Sequence, residues 1–562
     1  ESPIPLLLRF SVVVLFCAIL SQLFPAETTA ALYPHDTELA VRDSSFEGAR
    51  IDTISTEARN MFDTKVAQYD RWMFRVANKF HTTTRQRIVD AELLFAVGDP
   101  FNWDIAYETE RNLRRRLAIY DARVTPRRLD DGRMLVEVVT IDVWSIDGGM
   151  DVKREGGETD YSIHIKERNL FGMNQLVTLS HTDLAQEKAF ISGSYHDNRF
   201  AGHQFLVQSA FSNAEHQNYL QLGIARPLYS LNDKVSVSTS ISREGGRFDL
   251  YRDTTRLGHT FYDENNFELS GRYRFGSRVR KVSVSGGYSY TDQRSHDTKV
   301  FSSSPVDSQS ILASLPGDSI FYTVRGGLDF TDERYQELRR IDAFTKIEDV
   351  SVGLRVSLEA HQARNRRKNL YEAFLGGASY CLHYPGGLVY VSAEGAWWLR
   401  EGEQLRRKTT TSFRWYYYRP SFVTFALHGS LREDARTTPG DALVLGGKTG
   451  LRGYDTRFLT GQRVVVMGAE TRLFPGLEIL SAPVGGALFI DAARVYAKHE
   501  PFRFRDFYLS VGAGLRIAPE RVSSGRPIRI DFAFSDKFGW TISATTGQYF
   551  SLFSDNFLLT TR

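Results

Sequence analysis

The stretch FELSGRYRF, residues 267–275, indicates the fold of this chain. Its large apolar residues fall on alternate positions: Phe267, Leu269, Tyr273 and Phe275. The positions between them carry Glu, Ser and Arg. Because a period of two places alternate side chains on opposite faces of an extended chain, the stretch predicts a β-strand with one apolar face and one polar face.

The same alternation continues through most of the sequence. About nineteen candidate strands lie within residues 161–553, with almost no helical periodicity among them. A soluble protein of this length would divide its strands among several sandwiches joined by recognisable linkers, and no such linker composition is evident. The polar faces are rich in Ser, Thr, Gly, Arg and Glu, as in a water-filled lumen. We therefore predict an all-β transmembrane barrel, with an array of secreted sandwiches as the alternative.

The composition limits the other classes. The 562 residues include 70 Lys and Arg against 67 Asp and Glu, a formal net charge of only +3, which provides no strong field for nucleic acid. The 2 Cys are too few for a disulfide framework or a structural zinc site. Beyond residue 31 no run of eighteen apolar residues occurs, which argues against a bundle of transmembrane helices.

The N-terminal residues have a different pattern. Residues 1–31 combine an apolar core with a following run of small residues, which predicts a signal peptide; a membrane anchor is the alternative. Residues 32–71 are interpreted as a linker with a short helix.

Residues 72–147 predict a small α/β domain. An extended piece at residues 73–77 precedes two segments of helical periodicity, and an Asp-Asp-Gly turn at residues 130–132 joins two strand-like runs. The predicted order is β-α-α-β-β. The triplet at residues 114–116, all Arg, is interpreted as a solvated helix end, with contact to client protein or lipid as the alternative.

Four short motifs resemble those of a known family. They occur in the order VLGG (444–447), LRGY (451–454), GAETR (468–472) and FIDAA (489–493). The order is similar to that of the bacterial surface antigen family, the POTRA-plus-barrel outer-membrane proteins of the BamA/TamA and two-partner-secretion types. The α/β unit resembles a single POTRA domain. The resemblance extends over roughly residues 72–550 and includes further short matches before and after the four motifs.

The resemblance implies a barrel of about sixteen antiparallel strands, residues 148–562, and a loop at 440–462 that folds into the lumen. The loop motif comprises Leu451, Arg452, Gly453 and Tyr454. In the family the loop Arg pairs with the Asp of the Phe-x-Asp motif, which here implies Arg452 with Asp491; Glu470 is a second candidate partner. A guanidinium can grip a carboxylate bidentately, which suits a loop tip held in a wet lumen.

The last strand is expected to end near Phe550, with residues 554–562 as a tail. Gly547 and Phe550 would then belong to a weak seam between the last and first strands, since Gly pairs less firmly than β-branched residues. One departure from the family is Ala493, where the family usually has Gly.

The resemblance implies a non-enzymatic function in the outer membrane, with the POTRA domain in the periplasm. We expect assembly of membrane proteins or translocation of polypeptides, without cofactor, metal, nucleotide or nucleic acid. Extended client proteins would bind the strand edge at Ala122, Arg123, Val124 and Thr125, and outer-membrane lipid would surround the barrel. The alternatives are a passive porin or receptor, and export of lipid or lipoprotein.

Overall fold

The computed structural model is mostly β-sheet. It describes residues 42–66, 69–155, 158–184, 187–252, 255–301, 308–309, 312, 317–366, 368–419, 422–436, 443–447, 450–455, 458–497, 500–501, 503, 506–521 and 527–552. The predicted signal peptide (1–31), the start of the predicted linker (32–41), parts of the 440–462 loop and the tail (554–562) lie outside the described residues. None of the helices in these described segments has the length and hydropathy to span a membrane.

The N-terminal part folds as an α/β domain around a three-stranded sheet of order β1-β3-β2. Its elements are β1 (Thr53–Arg59), α1 (Trp72–Phe80), α2 (Gln86–Asp90), α3 (Trp103–Arg114), β2 (Ile119–Arg128) and β3 (Met134–Asp142). β1 runs parallel to β3, and β2 runs antiparallel to it. Alternate residues of β3, from Met134 to Val138, are buried against Val89 and Leu113 of the helices.

The start of this domain differs from the prediction. Residues 73–77 lie inside helix α1 rather than in a strand, and the first strand is β1, within the stretch 32–71 interpreted as linker. The segment is helical because Phe74 packs on Met61, Phe62 and Tyr69 while partly buried neighbours lie on the same side. A short apolar run does not distinguish strand from helix by periodicity alone. The observed order is therefore β-α-α-α-β-β.

Among the residues that the structure describes, twenty antiparallel strands close into a barrel. They are β4 (Ile146–Glu155), β5 (Glu158–Glu167), β6 (Gln175–Leu184), β7 (Glu187–Asp197), β8 (Leu206–Asn213), β9 (Asn218–Arg226), β10 (Val235–Arg252), β11 (Thr255–Gly276), β12 (Arg280–Val300), β13 (Ser319–Leu338), β14 (Glu348–Asn365), β15 (Leu370–Tyr384), β16 (Gly387–Arg400), β17 (Glu403–Tyr417), β18 (Val423–Arg436), β21 (Arg463–Ile479), β22 (Ala482–Tyr496), β23 (Tyr508–Ile517), β24 (Ile528–Ser535) and β25 (Gly539–Thr546). The short strands β19 (Leu443–Leu445) and β20 (Leu459–Gly461) pair with each other in the loop between β18 and β21.

The barrel confirms the fold class predicted from the alternation. Phe267, Leu269, Tyr273 and Phe275 of β11 all lie exposed on the outer face, where a membrane protein presents apolar side chains to lipid. The strand number is twenty rather than the sixteen implied by the resemblance. The alternation gave the better count because it reports each paired strand directly, whereas the family motifs lie in only a few of them.

The α/β domain covers one end of the barrel. Helix α3 contacts three hairpins there: Asn112 Nδ2 donates to the carbonyl oxygen of Tyr229 at 3.0 Å, Glu108 pairs with Arg278 at 2.6 Å, and Arg114 pairs with Asp349 at 2.6 Å. The interpretation of the Arg triplet as a solvated helix end is therefore wrong for Arg114, which is buried at the interface between the two domains, whereas Arg115 is exposed.

Candidate functional site: a charged cluster in the barrel lumen

The loop between β18 and β21 enters the lumen and packs against the wall. Leu451 and Tyr454 are buried in a cluster with Val464, Val466 and other wall residues. Gly453 adopts φ +80, and a Cβ there would lie 3.1 Å from the Cβ of Ala533. The loop tip therefore requires glycine both for its backbone conformation and for its close approach to β24.

The structure brings Arg452 and Asp491 together. Arg452 Nε and Nη2 donate to the two carboxylate oxygens of Asp491 at 2.7 Å and 2.8 Å, and Nη1 donates to Glu470 Oε2 at 2.8 Å. The guanidinium also lies 3.5 Å from the ring centroid of Phe489 and 4.1 Å from that of Tyr549. Because Arg452 is only 2% exposed, these contacts fix the loop tip in one position.

The pair belongs to a larger cluster of buried charges, which we call the lumen cluster. Its members are the guanidinium groups of Arg452, Arg472, Arg516 and Arg529 and the carboxylates of Glu470, Asp491, Asp531 and Asp342. Glu470 bridges Arg452 and Arg472, with closest distances of 2.8 Å and 2.9 Å. Opposite charges balance within the cluster, so the loss of one member would leave a buried partner uncompensated.

The residues after β25, 547–552, also bind the lumen cluster, and we call them the C-terminal segment. After β25 the chain turns at Gly547, with φ +87, and enters the lumen. Arg472 Nη2 donates to the carbonyl oxygen of Phe550 at 2.7 Å, and the Phe550 ring stacks on His428 with centroids 5.2 Å apart. The interpretation of Phe550 as a residue of the strand seam was therefore wrong, since β25 ends at Thr546 and Phe550 is buried inside the barrel.

The turn between β13 and β14, residues 339–347, joins this cluster to the α/β domain. Asp342 accepts hydrogen bonds from Ser551 Oγ at 2.5 Å and from the backbone N–H of Leu552 at 2.8 Å. Three residues farther along, Thr345 Oγ1 lies 2.6 Å from the hydroxyl oxygen of Tyr120 in β2. One turn thus contacts both the C-terminal segment and the α/β domain.

Two buried carboxylates hold this turn in shape. Glu348 accepts from the backbone N–H groups of Ile341, Asp342 and Ala343 at 2.9, 2.9 and 3.2 Å. Glu520, from the turn after β23, accepts from the backbone N–H groups of Phe344, Thr345 and Lys346. A carboxylate that accepts several backbone N–H groups rigidifies the peptide around it.

The predicted client-binding edge is blocked within the chain. Strand β2 does lie at an edge of its sheet. However, the backbone N–H of Val124 donates to Glu110 Oε1 at 2.7 Å, and the carbonyl oxygen of Ala122 accepts from Arg114 Nη1 at 3.3 Å. Arg123 pairs with Glu337 of the barrel at 3.5 Å. Thr125 is exposed, yet the edge as a whole has no free row of backbone groups for a client strand.

Comparison with known proteins gives a match to one family domain. A model of the Omp85 superfamily domain matches residues 393–552. Residues 393–552 are therefore similar to an Omp85 domain. The matched range contains every member of the lumen cluster except Asp342, together with the lumen loop and the C-terminal segment. No curated protein matches the chain.

Solved structures of similar fold include BamA from Haemophilus ducreyi lacking POTRA domains 1-3, with 13% identity, a TM-score of 0.37, and coverage of 89% of this chain and 84% of that one. CdiB from Acinetobacter baumannii has 12% identity and a TM-score of 0.40, covering 89% and 73%. CdiB from Escherichia coli has 12% identity and a TM-score of 0.44, covering 91% and 78%. The match to the Omp85 superfamily domain supports an outer-membrane β-barrel of the protein transport and assembly class.

Sequence reasoning did not single out five of the eight members of the lumen cluster: Arg472, Arg516, Arg529, Asp531 and Asp342. Arg472 lies within the GAETR motif, and alternation places it on the inward face with Glu470, so its role could have been found. Arg516 and Asp531 pair at 2.7 Å from neighbouring strands and lie in the further short matches. Asp342 lies in an irregular turn, where no periodicity or motif marks it.

Proposed function

We propose that this Omp85 protein inserts or translocates extended polypeptides, using a barrel whose last strand can leave the wall, without covalent chemistry. The observation that carries the proposal is that the lumen loop and the C-terminal segment bind the same cluster of charges. A passive pore has no need of such an arrangement, since both segments occupy space that a permeant solute would use. The α/β domain would lie in the periplasm.

The short strands at the junction support an opening there. β24 and β25 have 8 residues each, whereas β11 has 22 and β12 has 21. A short strand forms fewer backbone hydrogen bonds with its neighbour, so separating it costs less. Release of the C-terminal segment from Asp342 and Arg472 would free the end of β25 to move with the opening.

The client would dock on β1 rather than on β2. β1 forms the other edge of the three-stranded sheet, and its side chains alternate between exposed and half-buried. An extended client can add to such an edge through backbone hydrogen bonds. The free energy of transport would come from folding of the client into the membrane, since periplasmic nucleotide is not available.

A covalent lock of the C-terminal segment tests the proposal. Cysteines replacing Ser551 and Asp342, in a Cys17→Ala, Cys381→Ala background, are expected to form a disulfide that holds the segment in the lumen. Under oxidation, assembly or secretion of clients should stop; after reduction of the same variant it should resume, which makes the reduced protein its own control. Normal client handling by the oxidised form would contradict the proposal.

Arg452→Ala gives an independent test. We expect clients to fail to assemble although the barrel remains heat-modifiable on gels. The matched control is Arg243→Ala, which removes an Arg whose side chain is 67% exposed and pairs with Asp263 at 3.5 Å. Planar-bilayer recording separates the alternatives, because a large steady conductance of the unaltered protein would support a passive porin instead.

Photo-crosslinking tests the docking edge. A photoreactive residue at Ser55 in β1 is expected to crosslink a purified, unfolded barrel client, whereas the same residue at the exposed Thr125 in β2 is not. Equal crosslinking at both positions would contradict docking on β1. Crosslinking of lipoprotein but not of a barrel client would favour the export function.

A further inference from the structure

Helix α1 carries an unusual exposed surface. Its outer face presents Trp72, Val76 and Phe80, which are 70%, 42% and 69% exposed. Residues four positions apart lie on one side of a helix, so these three form a continuous apolar row. In the described part of the α/β domain the other exposed large apolar side chains are Val97 and Leu117, which stand singly. Clustered exposure of this kind marks an interaction surface.

A second row of basic residues runs beside the first. Arg71, Arg75 and Lys79 each precede a member of the apolar row and are exposed. Arg75 also pairs with Asp70, but its side chain remains 58% exposed. Aromatic residues next to Lys and Arg on a short amphipathic helix are typical of helices that lie in the interface of an anionic membrane.

The position of the helix fits a membrane surface. Its inner face packs on Met61, Phe62 and Trp144, and Trp144 lies just before the first barrel strand, β4. The backbone N–H of Trp144 donates to the carbonyl oxygen of Arg521, in the turn after β23, at 2.7 Å. The helix is therefore fixed at the barrel end, close to the start of β4 and to the turn between β23 and β24.

The apolar row continues toward the lipid-facing wall. Phe171, 69% exposed, lies on the turn between β5 and β6. This turn is tied to the residues after α1, since Asn169 Nδ2 donates to the carbonyl oxygen of Thr82 at 2.9 Å. Above the turn, Ile163 and Ile165 of β5 are 52% and 56% exposed on the outer face of the barrel.

We propose that helix α1 is a membrane-interfacial helix. Its apolar row, with Phe171, inserts at the boundary of headgroups and acyl chains, and its basic row binds the phosphates of anionic phospholipids. The occupant is a bilayer rather than a protein because the surface is continuous with lipid-facing strands and carries complementary charge. The helix thereby fixes the bilayer beside the closing junction of the barrel, and this role does not depend on what the barrel transports.

Lipid-quenching fluorescence tests the proposal on the full chain. A fluorophore is attached at Val76→Cys or, as a control, at Asp130→Cys on the exposed hairpin tip beyond β2. The background again lacks Cys17 and Cys381. The protein is reconstituted in phosphatidylcholine vesicles, with or without phosphatidylglycerol, that contain lipids bearing a nitroxide at the headgroup. We expect strong quenching at position 76, stronger with phosphatidylglycerol, and little at position 130.

Charge reversal separates lipid binding from simple proximity. Lys79→Glu should lower the anionic-lipid-dependent part of the quenching by at least about fivefold, which is the effect of losing one basic side chain at such a surface. Arg50→Glu, at an exposed residue that precedes β1, should leave it unchanged. The label and charge variants involve exposed residues, and heat-modifiable migration verifies the folding of each protein, including the background that lacks the buried Cys381.

Quenching at position 76 no stronger than at position 130 in both vesicle types would overturn the proposal. If neither Lys79→Glu nor the addition of phosphatidylglycerol changes the quenching at position 76, the proposed contact between the basic row and lipid phosphates would be overturned. Crosslinked dimers through position 76 without quenching would assign the surface to a second copy of the chain.

Discussion

Two buried ion networks in this protein are built from the same groups but join different parts. The lumen cluster ties a loop and the C-terminal segment to the wall of one barrel, through Arg452, Glu470 and Asp491. The interface network, Arg114 with Glu110, Glu337 and Asp349, ties the α/β domain to that barrel. The first can break only by rearrangement inside the barrel, whereas the second can break by separation of two folded units.

The comparison teaches that burial alone does not decide what an ion network controls. Both arginines are nearly inaccessible, at 2% for Arg452 and 4% for Arg114. Removing a partner inside one fold leaves a charge that cannot reach water, whereas at a domain interface the charge can become solvated when the domains separate. We therefore expect unequal effects from equivalent substitutions.

The largest effect is expected for Asp491→Ala. The Nε and Nη2 donors of Arg452 lose their acceptor while the guanidinium remains buried. The free energy of unfolding of the barrel should therefore fall by about 3–5 kcal/mol. The measurement is the temperature at which heat-modifiable migration is lost. Asp263→Ala, at an exposed pair of the same barrel, is the control and should cost less than about 1 kcal/mol. Equal shifts in the two variants would contradict the importance of burial.

A smaller effect is expected for Arg114→Ala, because the domain can undock. We expect docking to weaken by about 2–3 kcal/mol, below the usual cost of breaking a buried pair, while the barrel keeps its unfolding temperature. Pulsed electron resonance distances between a label at Asp130→Cys and one on the barrel would report the separation. A fall in the unfolding temperature as large as that of Asp491→Ala would remove the distinction between the networks.

Asp342→Asn tests whether the two networks are linked through the β13–β14 turn. The amide oxygen of Asn is a weaker acceptor than the carboxylate of Asp. The free energy that holds the C-terminal segment in the lumen should therefore fall by about 1–2 kcal/mol. Protease access to a C-terminal tag would measure its release. In combination with Arg114→Ala, the effects should differ from their sum if the turn couples the networks, and additivity within error would refute the coupling.

The last effect is expected from pH, and it is graded over a pH range. Burial raises the pKa of Glu110 from the ordinary value of 4.5 to about 7, although Arg114 opposes the shift. Because the docked state then binds the proton more tightly than the exposed carboxyl would, docking should weaken as pH rises from 4.5 to about 7 and change little above that. Glu110→Gln should abolish this dependence in the distance measurement; an unchanged profile would show that another group titrates.

Local pattern was sufficient for the barrel and for the centre of the site. The alternation in residues 267–275 has a physical basis that needs no distant contact, since the pleat alone sends Phe267 and Glu268 to opposite faces. The resemblance carried by LRGY and FIDAA led to Arg452 and Asp491, which the structure brings together. Helix α1 was misread because its apolar spacing is short enough to suit either element.

The remaining features depend on contacts between residues that are far apart in the sequence. The edge at Ala122 and Val124 was a reasonable docking site until helix α3 supplied Arg114 and Glu110 to its backbone groups. The partner of Arg114 at Asp349 lies 235 residues away, and no local pattern predicts such a pairing.

The sequence by itself therefore determined that this chain alternates into lipid-facing strands, and its resemblance to a family indicated a carboxylate partner for Arg452. Only the tertiary structure decided that twenty strands close the barrel, that Phe550 turns inward, and that the α/β domain covers one end. The physical reason is that side-chain direction follows from the backbone of each strand, whereas strand closure and the choice of partner for a buried charge depend on what the whole fold brings to the same place.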